Sequence, residues 1–410
     1  MGSVPQVAEA KDVRLVGYHD LNQRPGFKMA AQEVAGRWYL YLAHLWHSGW
    51  SVLDVTNPEA PELLCFVPGP ENTWTLQVQV ADSLMLVALE RPEPGWGFDL
   101  SLPSSTGIQL FDVKEPANPQ PQGIFTVDGR GTHRNHYAGG SLAYLAANPA
   151  GYHGNILIIL DVSDPNNPRE VSRWSLPEQS AKQNPEPLHQ YYLHGPAYAD
   201  GKVAYLSYGK AGLIILDISD PTNPLQLGQL NFPGFGSVLG VHSTIPVPGT
   251  SLLVVNSEAI REEADEPHNY AFLVDVTDPT TPYVIGAFPT PQPAPETGLD
   301  SYVCKGGRFG PHNQHHPQGS HLYSSKQYIA LTWFNAGLRI FDIAQPHDPR
   351  EVACFVPQAP KERIGALPSE LQTQFEDVLI DARGVIYCTD KNHGLFILRS
   401  SFIDASLQHV

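Results

Sequence analysis

Several short segments of the chain place histidines in patterns that could bind a metal ion. The stretch GPHNQHHPQGSH, residues 310–321, contains four histidines in twelve residues and neither lysine nor acid. Its opening, GPHNQ, shares the pattern Gly-x-His with GTHRN, which begins at Gly131, and with GVHST, which begins at Gly240. Because neutral imidazole binds Fe(II), copper, zinc and manganese, histidines brought together from such segments would form a metal site.

A repeated unit provides the elements that must position these histidines. The clearest copy reads GLIILDISDPTNPLQLGQL, residues 212–230, and five related segments share its apolar run, its acid and its proline turn. A seventh copy, GLFILRSSF from Gly394, keeps the apolar run and lacks the acid. Alternating apolar residues between Asp-Gly, Gly and Asp-Pro turns indicate four β-strands per unit. The shared acids recur at intervals of 49 to 67 residues and are Asp54, Asp112, Asp161, Asp217, Asp275 and Asp342.

Seven such units predict an all-β fold, a seven-bladed β-propeller of four-stranded blades that forms a single domain over residues 1–410. The last copy has three strands and ends near Ser401, while the segment DVRLVGY near the N-terminus is typical of a fourth strand. We therefore expect Val13–Tyr18 to pair beside Leu395–Leu398, so that the N-terminal strand joins the last blade and closes the propeller. Residues 1–11 are expected to form a flexible N-terminus.

The GLIILDISDPTNP units resemble the LVIVD-repeat family of β-propellers, and related copies extend over almost the whole chain. The resemblance implies the propeller fold and leaves the activity open, because the repeats form the scaffold. The shared aspartate is expected to accept backbone hydrogen bonds at the turn between the third and fourth strands. Chemistry is therefore expected where the copies differ.

Alignment of the second strands of the repeats places histidines at one equivalent position, at the start of the innermost strand. Innermost strands of a propeller line its central channel, so four successive blades would each direct one imidazole to a common metal ion. A hydrogen-bonded plug of the channel is the alternative. The predicted ligands are His133, His194, His242 and His312, and the residues that compete with them are His136, His315 and His316.

The other repeats carry different residues at the same height of the channel. These are Lys28 in the first repeat, Thr75 or Leu76 in the second, and Glu376 or Asp377 in the seventh. One side of the channel would thus be free of histidine, and substrate or solvent could enter there.

Charged residues beside the predicted ligands suggest how an anionic group could be held. Lys28, Arg134 and Arg308 lie next to the axial positions in a chain that is otherwise acidic, and we expect them to orient a substrate carboxylate or an anionic intermediate. Glu90 and Glu258 follow second strands in LVALE and VVNSE, and could accept the free N–H of a liganding imidazole. Buried ion pairs between these two sets of residues are the alternative.

Composition narrows the range of partners. The chain has 25 lysines and arginines against 42 acids, a formal net charge of −17, which disfavours nucleic acid and anionic membrane surfaces. A small-molecule substrate fits better, with the oligomeric state open. Neither a run of about 18 apolar residues nor a secretory signal is recognisable, so we expect a cytoplasmic protein.

These features favour a metal-dependent enzyme, most simply an oxidoreductase of the mono- or dioxygenase type that acts on a small, anionic aromatic or apolar substrate. Fe(II) or copper is the favoured cofactor, with zinc or manganese as further candidates. A four-histidine metal on a propeller axis is similar to that of the carotenoid cleavage oxygenases, whose sequence motifs do not occur here. A metal-assisted hydrolase or lactonase is the first alternative, and a non-catalytic scaffold for protein binding is the second.

Overall fold

The computed structural model describes residues 4–92, 99, 101–186, 191–233, 235 and 237–409. Strands β1 to β14 are Val7–Lys11, Val13–His19, Met29–Val34, Arg37–Ala43, Gly49–Asp54, Glu62–Pro68, Trp74–Ala81, Leu84–Glu90, Gly107–Asp112, Gln120–Thr126, Gly129–His136, Leu142–Pro149, Ile156–Asp161 and Arg169–Trp174. Strands β15 to β28 are Tyr198–Asp200, Val203–Ser207, Leu213–Asp217, Leu225–Leu230, Val241–Pro246, Leu252–Ser257, Ala271–Asp275, Tyr283–Ala287, Tyr328–Thr332, Leu338–Asp342, Arg350–Pro357, Phe375–Ile380, Ile386–Asp390 and Gly394–Ser400. Helix α1 is Ser401–Ser406, and single 3-10 turns are Pro177–Gln179, Pro295–Thr297, Tyr302–Lys305 and Leu407–His409.

The strands form antiparallel units of four. Strands β3–β6, β15–β18 and β19–β22 are separate sheets in which neighbours in sequence are neighbours in space. Strands β7–β10 and β11–β14 form two further units, which one pairing between Glu90 and Gly131 joins into an eight-stranded sheet. The expected all-β architecture of four-stranded units is confirmed.

The last two sheets each take a strand from the N-terminus. Strand β2 pairs with β28, with Leu15 opposite Leu398, which confirms the expected pairing of Val13–Tyr18. Strand β1 pairs with β25 at the outer edge of the β23–β25 sheet. Residues 1–11 were expected to be a flexible segment; Val7–Lys11 form a strand instead, and residues 1–3 lie outside the described residues. Sequence pattern alone missed β1 because its one buried side chain is an acid, Glu9.

The shared aspartates have the expected structural role. In each of the six copies, the Oδ1 atom accepts a hydrogen bond of 2.8 or 2.9 Å from the backbone N–H two residues further on. This contact fixes the turn that follows the third strand of each unit. The six acceptors are Asp54, Asp112, Asp161, Asp217, Asp275 and Asp342.

The core consists of apolar layers between neighbouring sheets. Leu40 and Leu42 in β4 pack with Tyr387 in β27 and Leu395 in β28, so the first complete sheet contacts the last one. Similar clusters join each pair of units that follow one another along the chain. Burial of one such aliphatic side chain contributes about 1.5–3 kcal/mol to stability. The packing also brings first strands together, since β3 contacts both β7 and β26, and β7 contacts β11.

In the described part of the chain, no helix combines the length and apolar character that a bilayer crossing requires. The cytoplasmic location stays a prediction.

Candidate metal centre

The four histidines predicted as ligands lie side by side in one row. The ring centroids are 4.6 Å apart between His133 and His194, 4.7 Å between His194 and His242, and 4.8 Å between His242 and His312. Segments more than 170 residues apart in sequence thus bring together four imidazoles. We refer to these four residues as the histidine row.

Three first strands carry a β-bulge at the residue that faces this site. The pairing of β11 with β12 skips His133, the pairing of β19 with β20 skips His242, and the pairing of β26 with β27 skips Glu376. A bulge turns an extra side chain out of the regular alternation of a strand, which is a common device beside functional sites. The repeat therefore presents one side chain from each of these sheets.

The other two histidines are fixed by backbone hydrogen bonds to second strands. The N–H of His194 donates to the carbonyl of Ser207 in β16 over 2.9 Å. The N–H of His312 donates to the carbonyl of Thr332 in β23, also over 2.9 Å. All four positions in the row are thus anchored on sheets.

The Gly-x-His pattern has a structural cause at two of its three positions. Gly131 and Gly240 have φ angles of 103° and 86°, in the region that favours glycine. A Cβ atom would lie 2.4 Å from the carbonyl oxygen of Leu89 at the first site and 2.4 Å from that of Gly209 at the second. Each glycine therefore lets its strand approach the preceding sheet closely, two residues before a histidine of the row.

The imidazoles are neutral and offer buried ring nitrogens. Burial lowers the pKa of His194, His242 and His312 well below the ordinary value, and nearby cations add to the effect. The Nδ1 atom of His133 contacts Glu90 Oε2 at 2.8 Å, and that of His242 contacts Ser243 Oγ at 2.6 Å. Their Nε2 atoms are buried and lack a hydrogen-bond partner among the described residues. Such atoms suit a metal ligand, because an unsatisfied buried acceptor is otherwise costly.

Glu258 lies closer to the row than predicted. Its carboxylate oxygens are 3.7 Å from His194 Nε2, 3.6 Å from His242 Nε2 and 3.6 Å from His312 Nε2. Ligand atoms of His194, His242 and Glu258 all lie within 4.8 Å of one another. Burial raises the pKa of Glu258 to about 7, although Arg308 and Arg134 oppose the shift. The acid expected to orient an imidazole therefore occupies a possible ligand position itself.

Glu90 has the place predicted for an outer carboxylate. Its Oε2 atom contacts His133, and its Oε1 atom lies 3.2 Å from Arg130 Nε. Burial alone would raise the pKa of Glu90, but His133 and the neighbouring arginines bring it below the ordinary value. Glu90 is therefore ionised and can orient the ring of His133.

Glu376 and Lys391 complete the site and were not predicted in these roles. Glu376 Oε2 lies 3.4 Å from His312 Nδ1, and Oε1 lies 2.8 Å from Lys391 Nζ. The position of Lys391 in its repeat was an available signal for its role. Lys391 comes directly after the residue that pairs with Phe375, and Glu258 comes directly after the residue that pairs with Val241.

The three predicted substrate-orienting cations separate in the structure. Arg308 and Arg134 line the same cavity as the histidine row, and Arg308 Nη1 lies 3.1 Å from Glu258 Oε1. Lys28 instead pairs with Asp377 at 2.6 Å and lines a smaller cavity of about 40 Å³. Asp377 follows the bulge at Glu376, so the two acids serve different cavities.

The competing histidines lie elsewhere. Both ring nitrogens of His315 are engaged, since Nε2 contacts the carbonyl of Tyr323 at 2.7 Å and Nδ1 accepts the N–H of Ile380 at 3.1 Å. His136 and His316 have ring centroids 5.4 Å apart, and His316 lines the smaller cavity with Lys28. His312 is thus the member of the stretch GPHNQHHPQGSH that joins the row.

The cavity above the histidine row has a volume of about 410 Å³. One wall is apolar and occupies the side that carries no histidine of the row. It is formed by Phe27, Leu45, Trp74 and Leu76, which also pack together as one cluster. The remaining wall carries three imidazoles of the row, those of His133, His194 and His312, with three glutamates, three arginines and Lys391. A cavity of this size and mixed character suits a small ligand.

The fold and site define an all-β repeat protein with a histidine-lined cavity of mixed polarity between its sheets. The chain contains LVIVD repeats, since the LVIVD repeat model matches residues 143–175 and 198–231. No curated protein sequence matches the chain.

Comparison with solved structures found the two similar chains described here. A protein provisionally assigned as a 6-phosphogluconolactonase from Bacteroides uniformis ATCC 8492 has a TM-score of 0.53 and 12% identity, over 78% of this chain and 82% of its own. The computationally designed protein Ika8 has a TM-score of 0.49 and 8% identity, over 93% of this chain and 98% of its own. At 12% identity, the first likeness concerns the fold alone.

Proposed function

We propose that the chain is a closed seven-bladed propeller and a metal-dependent oxidoreductase of the oxygenase type, with Fe(II) or copper bound at the histidine row. The observation that carries the proposal is the group of His194, His242 and Glu258, whose ligand atoms lie within 4.8 Å of one another. His133 and His312 flank this group and supply further imidazoles.

Packing between the sheets supports the closed propeller. Apolar clusters join each consecutive pair of four-stranded units, and a further cluster joins the last sheet to the first. Closure leaves few exposed sheet edges, and β2 completes the last sheet.

The donor set supports the choice of metal. Two histidines and one carboxylate with open positions are typical of non-haem Fe(II) oxygenases, while additional imidazoles suit copper. Zinc and manganese would accept the same ligands. An iron or copper ion bound there would supply activation of dioxygen or of a substrate oxygen.

The residues around the row have supporting tasks. Glu90 contacts the Nδ1 atom of His133 at hydrogen-bond distance and so fixes the orientation of that ring, while Glu376 lies 3.4 Å from the Nδ1 atom of His312. Arg308 holds the carboxylate of Glu258 over 3.1 Å. The apolar wall keeps part of the cavity free of polar groups, which limits water near the reacting atoms.

A metal-assisted hydrolase is the second candidate, and Glu258 favours it. Its carboxylate oxygens lie 3.6 to 3.7 Å from three imidazole Nε2 atoms, a position from which a carboxylate could accept a proton from a water molecule bound at the row. The lactonase name of the structural neighbour adds no support, because 12% identity relates the folds only.

Elemental analysis tests the metal proposal. The wild-type protein, purified without added metal, is expected to contain about one equivalent of iron or copper, and His194→Ala to contain much less. The matched control is His347→Ala, which removes an exposed histidine far from the row in sequence. Absence of bound metal from the wild type, with no gain in thermal stability on adding Fe(II), Cu, Zn or Mn, would reject the proposal. Turnover that requires air indicates an oxygenase, whereas turnover that persists without oxygen indicates the hydrolase.

A further inference from the structure

The charged groups around the two cavities do not balance. Four of their cations each pair with one carboxylate: Lys28 with Asp377, Arg130 with Glu90, Arg308 with Glu258 and Lys391 with Glu376. The fifth cation is Arg134; four carboxylates attract it from a longer range, but no carboxylate of the described residues lies at ion-pair distance from it. One positive charge is therefore left over beside the histidine row.

Arg134 is buried and keeps hydrogen-bonding capacity. Only 2% of the residue is exposed, yet it lines the larger cavity. Its Nε and Nη1 atoms are buried without a hydrogen-bond partner in the described segments. Its guanidinium carbon lies 5.3 Å from the centroid of the Phe27 ring. A buried, unpaired guanidinium is costly, and an anion that accepts its N–H groups would remove that cost.

We propose that Arg134 binds the carboxylate of the substrate, and that the substrate is a small carboxylic acid with an aromatic or aliphatic body. This inference rests on the proposed function, in which the histidine row acts on a small molecule. It selects Arg134 among the three cations that the sequence suggested, because Lys28 and Arg308 already have acidic partners.

The neighbourhood of Arg134 defines the rest of the ligand. Phe27 contacts the guanidinium and also belongs to the apolar wall with Leu45, Trp74 and Leu76. A ligand that places its carboxylate on Arg134 can therefore lay an apolar body on this wall. The planar guanidinium matches the two oxygens of a carboxylate in a forked contact. An inorganic anion would leave the wall uncovered, so the apolar body favours an organic acid.

Calorimetric titration with benzoate tests the inference. Benzoate is expected to bind the purified protein about tenfold or more tightly than benzamide, which lacks the charge, and than acetate, which lacks the ring. Arg134→Met is expected to weaken benzoate binding by about 10- to 100-fold and to leave benzamide binding unchanged. Its melting temperature should stay the same or rise, because the variant loses no ion pair.

Matched variants separate this inference from the metal proposal. Lys28→Met removes a paired cation of the smaller cavity and should keep benzoate affinity. Arg134→Lys should retain only part of the benzoate affinity, because the positive charge remains but the two-point contact of a guanidinium with a carboxylate is lost. Benzoate binding that depends on Arg134 in a protein without metal supports the inference and rejects the metal proposal. Failure of benzoate to bind at millimolar concentration, equal binding of benzoate and benzamide, tighter binding of inorganic phosphate, or unchanged binding in Arg134→Met would each overturn the inference.

Discussion

Glu90 and Glu376 show how single residues decide the chemistry of the histidine row. Each contacts the Nδ1 atom of one outer member of the row, at 2.8 Å for Glu90 with His133 and 3.4 Å for Glu376 with His312. The hydrogen bond with Glu90 fixes which ring nitrogen of His133 carries the proton and which one faces the cavity, whereas the longer contact of Glu376 places a carboxyl group beside His312. The row therefore has an acid beside each end, and Glu258 lies near its middle.

Replacement of Glu90 tests this orientation. Glu90→Gln keeps the size of the side chain and removes the negative charge that accepts the His133 N–H. We expect the affinity for the metal ion proposed at the histidine row to fall by about 10- to 100-fold, as is usual when an outer partner of a histidine ligand is lost. Competition titration with a chelator measures the change. The control is Glu178→Gln, an exposed acid in a 3-10 turn, which should match the wild type. Equal affinities of wild type and Glu90→Gln would show that His133 is not a ligand.

At the scale of the strand, the bulges explain both what the sequence predicted and what it missed. The repeats located the strands and aligned His133, His194 and His242, because apolar alternation and turn residues are local signals. They could not decide between Glu376 and Asp377, since the skipped residue at a bulge breaks the alternation of sides. Asp377, the residue after the skipped one, pairs with Lys28 at the smaller cavity.

The sequence offered buried ion pairs as an alternative, and Arg308 does pair with Glu258, but the distances from Glu258 to the imidazoles were beyond its reach. The proximity of Glu258 to three imidazoles depends on how β20 of one sheet packs against its neighbours, and a single sequence carries no measure of such distances. The repeat register did contain the equivalence of Glu258 and Lys391, because both follow the residue paired just before a bulge. Alignment on the bulge as well as on the strand would have found Lys391.

Glycine replacement tests the approach of β19 to the preceding sheet. Gly240→Ala introduces a Cβ atom 2.4 Å from the carbonyl oxygen of Gly209, at a φ of 86°. We expect the free energy of unfolding to fall by about 2–4 kcal/mol, because alanine is strained at this φ and because the neighbouring backbone must move away from the new Cβ atom. Urea denaturation measures this change, and the displaced strand should also weaken metal binding through His242.

Gly201→Ala is the matched control for that variant. Gly201 has a φ of 59° in the turn between β15 and β16, and a Cβ atom there would meet no heavy atom within 4 Å. Gly201→Ala should therefore lower the free energy of unfolding only by the strain of an alanine in the left-handed conformation, about 1–2 kcal/mol. Its metal affinity should be unchanged. If both variants lose the same stability and neither loses metal, the close approach at Gly240 does not position His242.

At the scale of the molecule, the N-terminus ties the last two sheets together. Strand β2 completes the β26–β28 sheet, while β1 extends the β23–β25 sheet and buries Glu9 beside Arg339. Arg339 is fully buried and also contacts Glu351 at 3.0 Å. Residues distant in sequence thus pair at the edges of both sheets, and in the closed propeller proposed above these N-terminal strands take part in closure.

Truncation tests this closure. Removal of residues 1–11 takes away β1 and leaves Arg339 without Glu9, so we expect a loss of about 3 kcal/mol in the free energy of unfolding with the cooperative transition retained. Glu9→Gln separates the ion pair from the strand pairing and should cost less than the truncation. Removal of residues 1–19 also deletes β2 and exposes the apolar edge of β28, so we expect no cooperative urea transition. A protein that lacks residues 1–19 and still unfolds cooperatively at the wild-type midpoint would show that closure does not depend on the N-terminal strands.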